Sequence, residues 1–494
     1  MDKFVSTVEN QEIPLHPLDT QAAFLNVPYH FFYPNTNQSD SFMPNNVLRD
    51  SFYRALMRFP ILAGYLRSEG TGKTTVVVDR GDLNMPEYAE SNSDILFSEL
   101  QEAKFHHSSW PKGLSTTGPI TIAGSDGRIK LMNVHIVRLK DNTGVVIFVS
   151  MPHYVVDGTG FFSFVELWGK LCMAERIADS TLMQQAAEMQ FVFDRDLISR
   201  SLPAKRKPLN AETVDVYTGF SPLAEWLAWL SPTTRGNILS KAKFSSNVVS
   251  HTFRVSQESL ESLRNNICAH IDEPELQVAT THVLAALVSK MVAQAHLKCR
   301  EQSTQSSGVL SILMSLLSSA IFGAETSQSL NLLADVRHGL GIADQGYMGN
   351  GLIPHNTQCA LSVLETPTDA KSLAAATAIV SKIYGNADGP LVASFVDMLL
   401  ARPSCFTRPM VYLARHPRSL VITNETGFKL YKADFGDGLP EWVCTIPSFV
   451  ANFIGFLPSP PSSTDIVVNI TLKEPVMKHI LNNEFWRDLA TIVY

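Results

Sequence analysis

An apolar segment at residues 145–151 constrains the fold more strongly than any other feature of the chain. It follows the strand-like residues 131–139 after the turn-forming run 141–144, Asp-Asn-Thr-Gly, and this order predicts an antiparallel hairpin. Because nearly every side chain of the second strand is apolar, both faces of that strand should be covered by other elements. The sequence thus predicts a sheet with packed layers on both sides.

Helical and strand-like segments recur through the rest of the chain. Residues 46–59 and 161–173 show the three- and four-residue apolar spacing of helices, and Ser256 is placed to cap another helix. Further strands are predicted near residues 331–335, 419–423, 428–434, 442–447 and 465–472. This mixture predicts an α/β fold.

The chain is long enough to require more than one domain. Its 494 residues exceed what a single ordinary core organises, which favours two or three domains. Between residues 201 and 245 the periodicity fades and prolines recur, as in a crossover between domains. We therefore predict an N-terminal domain at residues 1–200, a crossover linker at 201–245 and a C-terminal domain at 246–494.

Composition and charge argue against several classes of protein. The net charge is −7 and the sequence has no long basic block, so nucleic acid is not an expected partner. The apolar residues 309–323 include four serines and are too few to cross a bilayer; a buried helix or strand is favoured over insertion into a membrane surface. The six cysteines are far apart, which favours a reducing, cytoplasmic setting without metal or disulfide frameworks.

The residues best suited to chemistry stand where the apolar strand ends, at His153, Asp157 and Gly158. A rigid sheet fixes residues at a strand end while the chain beyond it faces a cleft. Histidine exchanges a proton near neutral pH, and Asp157 can cap the following helix or hold the backbone of the loop. Gly158 allows a close approach that a Cβ would prevent.

The H-x-x-x-D-G spacing alone leaves several interpretations open. A histidine hydrogen-bonded in the core beside a helix-capping aspartate would explain it equally well. Condensation domains of peptide synthetases carry the same motif, although they usually place a second histidine where Pro152 stands here. A catalytically silent binding protein of the same fold is the third alternative.

Residues 70–74, Gly-Thr-Gly-Lys-Thr, end like a nucleotide-binding P-loop. However, Arg67 stands where that motif needs its first glycine, and a strand-like segment follows instead of a helix. A hairpin turn is therefore predicted here.

Several ordered segments resemble the BAHD acyltransferases, and their fungal, trichothecene 3-O-acetyltransferase-like branch more than the plant enzymes. The matching segments besides H-x-x-x-D-G are residues 13–19, 48–67, 278–295, 335–337, 346–350 and 434–438. The last three are similar to the D-x-R, G-Y-x-G-N and D-F-G-W-G elements of that family. The resemblance spans nearly the whole chain.

The resemblance implies a fold and an activity. It implies two chloramphenicol-acetyltransferase-like domains of mixed sheet plus helices, with His153 in a solvent channel between them. A coenzyme A thioester, acetyl-CoA by default, would enter as co-substrate from one side and a small-molecule acceptor from the other. His153 would act as general base for transfer to a hydroxyl, or less favourably an amine, of a secondary metabolite. The family pattern further implies a monomer without a permanently bound cofactor.

The family pattern also implies roles for other residues. Asp157 would pair with Arg337 and so hold the loop that presents His153. The residues implied to support the fold are Gly158, Asp434, Gly436 and Gly438. The residues implied to line the active channel and the acceptor pocket are Asn350 and Thr423.

Two departures from the family pattern stand out. Asp437 replaces the tryptophan of D-F-G-W-G, which affects structural detail only. Thr423, Asn424 and Glu425 stand where the family has T-S-W, so polar groups replace an aromatic wall. We therefore expect a polyhydroxylated terpenoid, polyketide or alkaloid as acceptor instead of a phenolic or shikimate-type molecule.

Overall fold

The computed structural model describes most of the chain. The described ranges are residues 2–21, 25–68, 73–219, 222–241, 247–306, 326–384, 387–402, 418–448 and 450–494. The apolar segment at 309–323 lies outside the described residues, as do Gly70 and Gly72 in the predicted turn.

Strands and helices alternate along the described residues. The strands are β1 (Gln11–Pro14), β2 (Asn26–Pro34), β3 (Tyr65–Ser68), β4 (Thr74–Val78), β5 (Glu87–Asn92), β6 (Asn133–Arg138), β7 (Gly144–Pro152), β8 (Val248–Val255), β9 (Ser327–Asp335), β10 (Leu352–Ala360), β11 (Leu420–Asn424), β12 (Trp442–Thr445), β13 (Phe453–Pro458), β14 (Ile466–Lys473) and β15 (Ala490–Ile492). The helices are α1 (Asp2–Thr7), α2 (Pro17–Gln21), α3 (Asn45–Leu56), α4 (Phe97–Glu102), α5 (Gly158–Arg176), α6 (Ser180–Glu188), α7 (Asp196–Ser201), α8 (Ala211–Thr218), α9 (Pro222–Trp229), α10 (Pro232–Lys241), α11 (Gln257–Cys268), α12 (Thr280–Ser306), α13 (Leu361–Leu364), α14 (Ala370–Tyr384), α15 (Gly389–Ala401), α16 (Glu474–Leu481) and α17 (Glu484–Leu489).

The N-terminal sheet has the strand order β12-β2-β7-β6-β5. Its pairs are antiparallel except for β5 with β6. The predicted hairpin is formed by β6 and β7, and β7 is buried along its whole length, as its apolar sequence predicts. Helices α3 and α5 pack together beside this sheet, where the Trp168 indole N–H donates to the Leu48 carbonyl at 2.9 Å.

One strand of the N-terminal sheet comes from the far end of the chain. After β11 in the C-terminal sheet, the chain crosses to the N-terminal sheet and adds β12 along β2. It then returns to the C-terminal sheet at β13. We call residues 425–441 the crossing segment; it ties the two sheets together.

The C-terminal sheet has the strand order β10-β9-β11-β13-β14-β8-β15. β11 is parallel to both of its neighbours, whereas the other pairs are antiparallel. Leu332, Ile422 and Val468 belong to the core that this sheet shares with Leu287 of α12. The mixed sheets and flanking helices confirm the predicted α/β class.

A third, small sheet has the order β1-β4-β3. β3 and β4 pair antiparallel from Tyr65 with Val77 to Ser68 with Thr74. The pairing of these strands agrees with the hairpin predicted at this place, although its turn residues 69–72 lie outside the described ranges, and Lys73 precedes a strand.

Some predictions of local structure were wrong or displaced. Residues 428–434 were predicted as a strand, but Leu430–Lys432 form a 3-10 turn, and among the described strands none pairs with the crossing segment there. The helix predicted at 46–59 ends at Leu56, and a 3-10 turn follows at Pro60–Ala63. Within the described ranges, no helix is long and apolar enough to cross a bilayer.

Candidate active site

The loop that carries His153 begins where β7 ends. The backbone N–H of His153 donates to the Leu25 carbonyl at 2.8 Å, which continues the pairing of β7 with β2. α5 begins directly after Asp157, whose carboxylate accepts from the Gly160 N–H at 3.2 Å as a helix cap. The strand end and the helix start thus hold the loop at both sides, and His153 as a whole residue remains partly exposed.

Gly158 allows the crossing segment to approach this loop. A Cβ at position 158 would come within 2.3 Å of the Phe428 ring. Phe428 lies in the crossing segment, so only a residue without a side chain fits the start of α5 against it. A larger residue at position 158 would force the histidine loop and the crossing segment apart.

Asn350 fixes the orientation of the imidazole. His153 Nδ1 lies 2.8 Å from Asn350 Oδ1. The Asn350 Nδ2 donates to Asp19 Oδ1 at 3.1 Å and to the His153 carbonyl at 2.6 Å. Because a carboxylate and a carbonyl only accept hydrogen bonds, the amide must point its oxygen at His153. Nδ1 therefore carries the proton of the neutral imidazole, and Nε2 keeps the free lone pair.

Asp19, buried in α2, anchors Asn350 in turn. Its carboxylate accepts from the backbone N–H groups of Asn350 and His16, both at 2.9 Å. It also pairs with Arg195, Nε to Oδ2 3.3 Å, and Arg195 donates to the Val155 carbonyl at 2.6 Å. This buried network holds both the amide and the histidine loop, and such networks impose one arrangement on their members.

The surroundings of His153 favour its neutral form. Burial lowers the pKa of His153 below the usual 6.5, against the opposing effects of the Asn350 hydrogen bond and of the Asp157 and Asp19 charges. A neutral imidazole with a free Nε2 can accept a proton at neutral pH. The arrangement therefore has the chemical properties that general-base catalysis requires.

Asp157 and Arg337 form a buried ion pair. Their side chains are 1% and 5% exposed, and Oδ2 lies 2.8 Å from Nη2. The same oxygen accepts from the Gly351 N–H at 3.0 Å, and Arg337 also pairs with Asp335 at 2.9 Å. The pair joins the histidine loop to the residues that follow β9, so the structure brings together the two residues that the resemblance implied.

The D-F-G-D-G run lies along the later part of α5. The Asp434 carbonyl packs against Gly169, about 16 Å along the helix from its start at Gly158. Asp434 Oδ1 accepts from the N–H groups of Gly436 and Gly438 at 2.7 and 3.1 Å. Both glycines have positive φ, 97° and 108°, which favours glycine. The run is thus a tight turn set apart from the imidazole.

Thr423 lies at the end of β11, opposite Gly455 of β13. Its hydroxyl donates to Glu425 Oε1 at 3.4 Å, and the Tyr29 hydroxyl of β2 donates to Glu425 Oε2. Glu425 therefore connects the two sheets at the first residue of the crossing segment.

Four residues of this region had no role assigned from the sequence: Asp19, Tyr29, Arg195 and Glu425. Asp19 lies in the opening run that resembles the family, so its position offered a signal, and Glu425 was noticed only as a departure from T-S-W. Tyr29 lies in an aromatic strand that is typical of a core. Among the described residues, no group of histidine, cysteine, aspartate and glutamate side chains is arranged to hold a metal ion.

The fold and the family can be compared with known proteins. A family model described as the Transferase family matches residues 5–485. F. graminearum TRI101 with coenzyme A and deoxynivalenol has a TM-score of 0.72 at 15% identity, covering 98% of this chain and 100% of that chain. F. sporotrichioides TRI101 with coenzyme A and T-2 gives 0.68 at 17%, covering 98% and 100%. Vinorine synthase gives 0.61 at 17%, covering 98% and 97%. A search of curated protein sequences gave no significant match.

The family match covers nearly the whole chain, from before β1 to α17. The structural matches agree with it, although at these identities they show the fold alone. The resemblance found in the sequence is therefore confirmed, together with the prediction of an acyltransferase. The chain belongs to the Transferase family, that of the BAHD acyltransferases.

Proposed function

We propose that the chain transfers an acyl group, acetyl in the simplest case, from a coenzyme A thioester to a hydroxyl group of a small secondary metabolite. His153 is the general base of this reaction. The single observation that carries the proposal is the hydrogen bond between His153 Nδ1 and Asn350 Oδ1. It leaves the lone pair of Nε2 free at the end of a strand, on a residue that is partly exposed.

Structures of the same fold support the choice of substrates. F. graminearum TRI101 has been solved with coenzyme A and deoxynivalenol, and with ethyl coenzyme A. F. sporotrichioides TRI101 has been solved with coenzyme A and T-2. These proteins hold a coenzyme and a small molecule in one complex, so we propose two substrates of the same kinds for this chain.

The reaction follows from the free lone pair. Nε2 takes the proton of the acceptor hydroxyl while the hydroxyl oxygen attacks the thioester carbonyl carbon. The tetrahedral intermediate then breaks its carbon–sulfur bond, and the thiolate of coenzyme A receives the proton from the imidazolium. The products are an ester and free coenzyme A, and no covalent acyl-enzyme forms. An amine can replace the hydroxyl in the same sequence, as the less favoured acceptor.

The other residues act through the position of His153 or through the acceptor. We assign Asn350 to holding the imidazole and Asp157 with Arg337 to holding its loop. Thr423 is assigned to the acceptor pocket. The residues assigned to supporting turns and close contacts are Gly158, Asp434, Gly436 and Gly438. The division into residues 1–200, 201–245 and 246–494 is part of this proposal.

Thiol release from acetyl-CoA, measured against a panel of small alcohols and amines, tests the activity. We expect His153→Ala to lower kcat at least ~100-fold, because general-base assistance typically contributes ~10²–10⁴-fold. The thermal midpoint of the variant should stay close to that of the wild type, since the substitution leaves the backbone pairing of β7 with β2 in place.

The exposed His338 offers a matched control. His338→Ala removes a histidine close to Arg337 in the chain, and its rate should equal the wild-type rate. A folded His153→Ala enzyme that turns over at nearly the wild-type rate would remove the assignment of the base.

A further inference from the structure

Glu425 stands at the point where the chain leaves the C-terminal sheet. Its backbone N–H donates to the Phe456 carbonyl of β13 at 2.8 Å. Its side chain reaches in the other direction, to the hydroxyl of Tyr29 in β2. The carboxyl group therefore lies between the two sheets, on a residue that is partly exposed as a whole.

The hydrogen bonds of Glu425 suit its ionised form. The Tyr29 hydroxyl donates to one carboxylate oxygen and the Thr423 hydroxyl to the other. A protonated carboxyl would itself be a donor and would match two such hydroxyl donors less well. Burial raises the pKa of Glu425, while these two hydrogen bonds lower it. The ionised form is thus accommodated but costly to desolvate.

No cationic partner of this carboxylate lies within the part of the chain that the structure describes. Among the described residues, no lysine, arginine or histidine forms an ion pair with Glu425. The two buried aspartates of the site differ, because Asp157 pairs with Arg337 and Asp19 pairs with Arg195. A desolvated carboxylate without a cation is unfavourable until a cation reaches it.

A chain of aromatic rings begins at Tyr29, whose hydroxyl contacts the Glu425 carboxylate. The Tyr29 ring packs on Phe161 and Phe162, with centroids 5.4 and 5.0 Å apart. Phe162 packs on Phe428 at 5.3 Å, and Phe428 contacts Gly158 beside the histidine loop. Ring faces attract cations, and a carboxylate together with aromatic rings is a favourable setting for a substituted ammonium ion.

The distance from Tyr29, which contacts Glu425, to His153 fits the length of one small molecule. Tyr29 pairs with Val149 on β7, and His153 follows four positions later in the chain. At the usual rise of a strand, these positions are about 13 Å apart. An acceptor bound with its hydroxyl at His153 can therefore place a second group near Glu425.

We propose that Glu425, with the rings of Tyr29, Phe162 and Phe428, binds a protonated amine of the acceptor. The acceptor class is then that of amino alcohols such as alkaloids, acylated on a hydroxyl at His153 while the amine stays a cation at Glu425. This assignment rests on the proposed function and narrows its substrate class. Thr423 contributes by holding the carboxylate, and Tyr29 by holding it from the opposite sheet.

A matched series of probes tests the assignment. ω-(Dimethylamino)alkan-1-ols carry a tertiary ammonium that has no stable acylation product, and methyl-branched alkan-1-ols of the same shape are their neutral counterparts. Chains from two carbons up to about ten cover the span of the strand. Thiol release from acetyl-CoA gives KM for each alcohol. At one chain length, we expect the wild type to prefer the amine roughly tenfold in KM.

Glu425→Gln should bring the KM ratio between the amine and its neutral counterpart close to one. Glu166→Gln is the matched control, because Glu166 lies near the same segment but is paired with Lys170 and Lys429. Glu166→Gln removes one negative charge from the neighbouring surface, and this variant should keep the preference for the amine over its neutral counterpart. Lack of any preference in the wild type, its persistence in Glu425→Gln, or its equal loss in Glu166→Gln would overturn the proposal.

Calorimetric binding of the same probes separates this proposal from the proposed function. If no probe is acetylated but the amine binds more tightly than its neutral counterpart in the wild type only, the transferase activity fails and the cation site stands. If the neutral alcohols are acetylated with dependence on His153 and the amines bind no more tightly, the activity stands and the cation site fails.

Discussion

Two carboxyl groups, Asp157 and Glu425, each join the N-terminal part of the chain to the C-terminal part, and they do so in opposite ways. Asp157 is 1% exposed, and its oxygens are taken up by Arg337 and by the N–H groups of Gly160 and Gly351. Glu425 receives two hydroxyl hydrogen bonds, has no cationic partner among the described residues, and is partly exposed.

The difference indicates that Asp157 stabilises the fold, whereas we propose that Glu425 binds a ligand. All the partners that Asp157 needs come from the chain itself, so the folded protein gains from its charge. The charge of Glu425 is only partly compensated, so the folded protein pays a cost that a bound cation would offset. Binding sites commonly carry such costs because selection acts on function above a threshold of stability.

The largest effect is expected for Asp157→Ala. This change leaves Arg337 buried opposite an empty position, and breaking a buried pair in this way costs about 3–5 kcal/mol. The free energy of unfolding, measured in urea, should fall by this amount. Activity should also fall, because the loop that carries His153 loses its ion pair with Arg337. Asp157→Asn should lose less, since an amide still accepts from a backbone N–H.

Asp335→Ala is the control for that experiment. Asp335 also pairs with Arg337, but its side chain is 38% exposed. In this variant Arg337 keeps its buried partner Asp157, and the carboxylate that is removed is partly solvated. The loss should therefore be smaller than for Asp157→Ala. Equal losses in the two variants would mean that burial does not distinguish the two partners of Arg337.

Part of this arrangement could be predicted from nearby residues. The hairpin of β6 and β7 follows from its apolar run and turn residues, and Ser256 caps α11 through a 3.3 Å hydrogen bond to the Ser259 N–H, as predicted. The pairing of Asp157 with Arg337, 180 residues away, was implied only by the family resemblance. No local pattern relates residues at that separation.

The other features of the fold and the site depend on which distant segments of the chain pack together. Tyr29 and Glu425 are 396 residues apart, and the sequence shows Glu425 only as a polar residue after a strand. Residues 428–434 were predicted as a strand, but the chain there crosses between sheets, and no described strand pairs with it. Because burial and partners arise from tertiary packing, the contrast between Asp157 and Glu425 could not be derived from the sequence.

The second-largest effect is expected for Asn350→Ala. Asn350 is buried like Asp157, but it hydrogen-bonds directly to His153. Asn350→Ala removes the acceptor of the His153 Nδ1 proton and so frees the imidazole to rotate or change tautomer. We expect kcat to fall about 10- to 100-fold, equivalent to about 1.4–2.7 kcal/mol of barrier.

The pH profile distinguishes this role from a structural one. Activity of a general base is lost as the pH falls through its pKa, and burial places that limb below 6.5 for His153. The Asn350 hydrogen bond raises the pKa of His153, so Asn350→Ala should move the limb to lower pH. Asn265→Ala, at an exposed position of α11, should move neither kcat nor the limb. An unshifted limb in Asn350→Ala would show that the amide does not act on the imidazole.

The smallest effect, and one of opposite sign, is expected for Glu425→Gln. A carboxyl with a raised pKa holds its proton longer in the folded state than in the unfolded state, so stability falls as the pH rises from about 4.5 through the raised pKa. Glutamine removes that titration. In urea unfolding at neutral pH, the variant should therefore be equal to the wild type or more stable by up to about 1 kcal/mol, and this gain should vanish at acidic pH.

A gain in the free energy of unfolding is the result that distinguishes Glu425 from Asp157. If Glu425 stabilised the fold in the way that Asp157 does, Glu425→Gln would destabilise the protein at neutral pH. The wild type would then be the more stable protein until the pH was lowered. If Glu425→Gln gains stability and also loses the amine preference, the charge of Glu425 is assigned to ligand binding. A group that is retained at a cost to folding must contribute in another state of the protein.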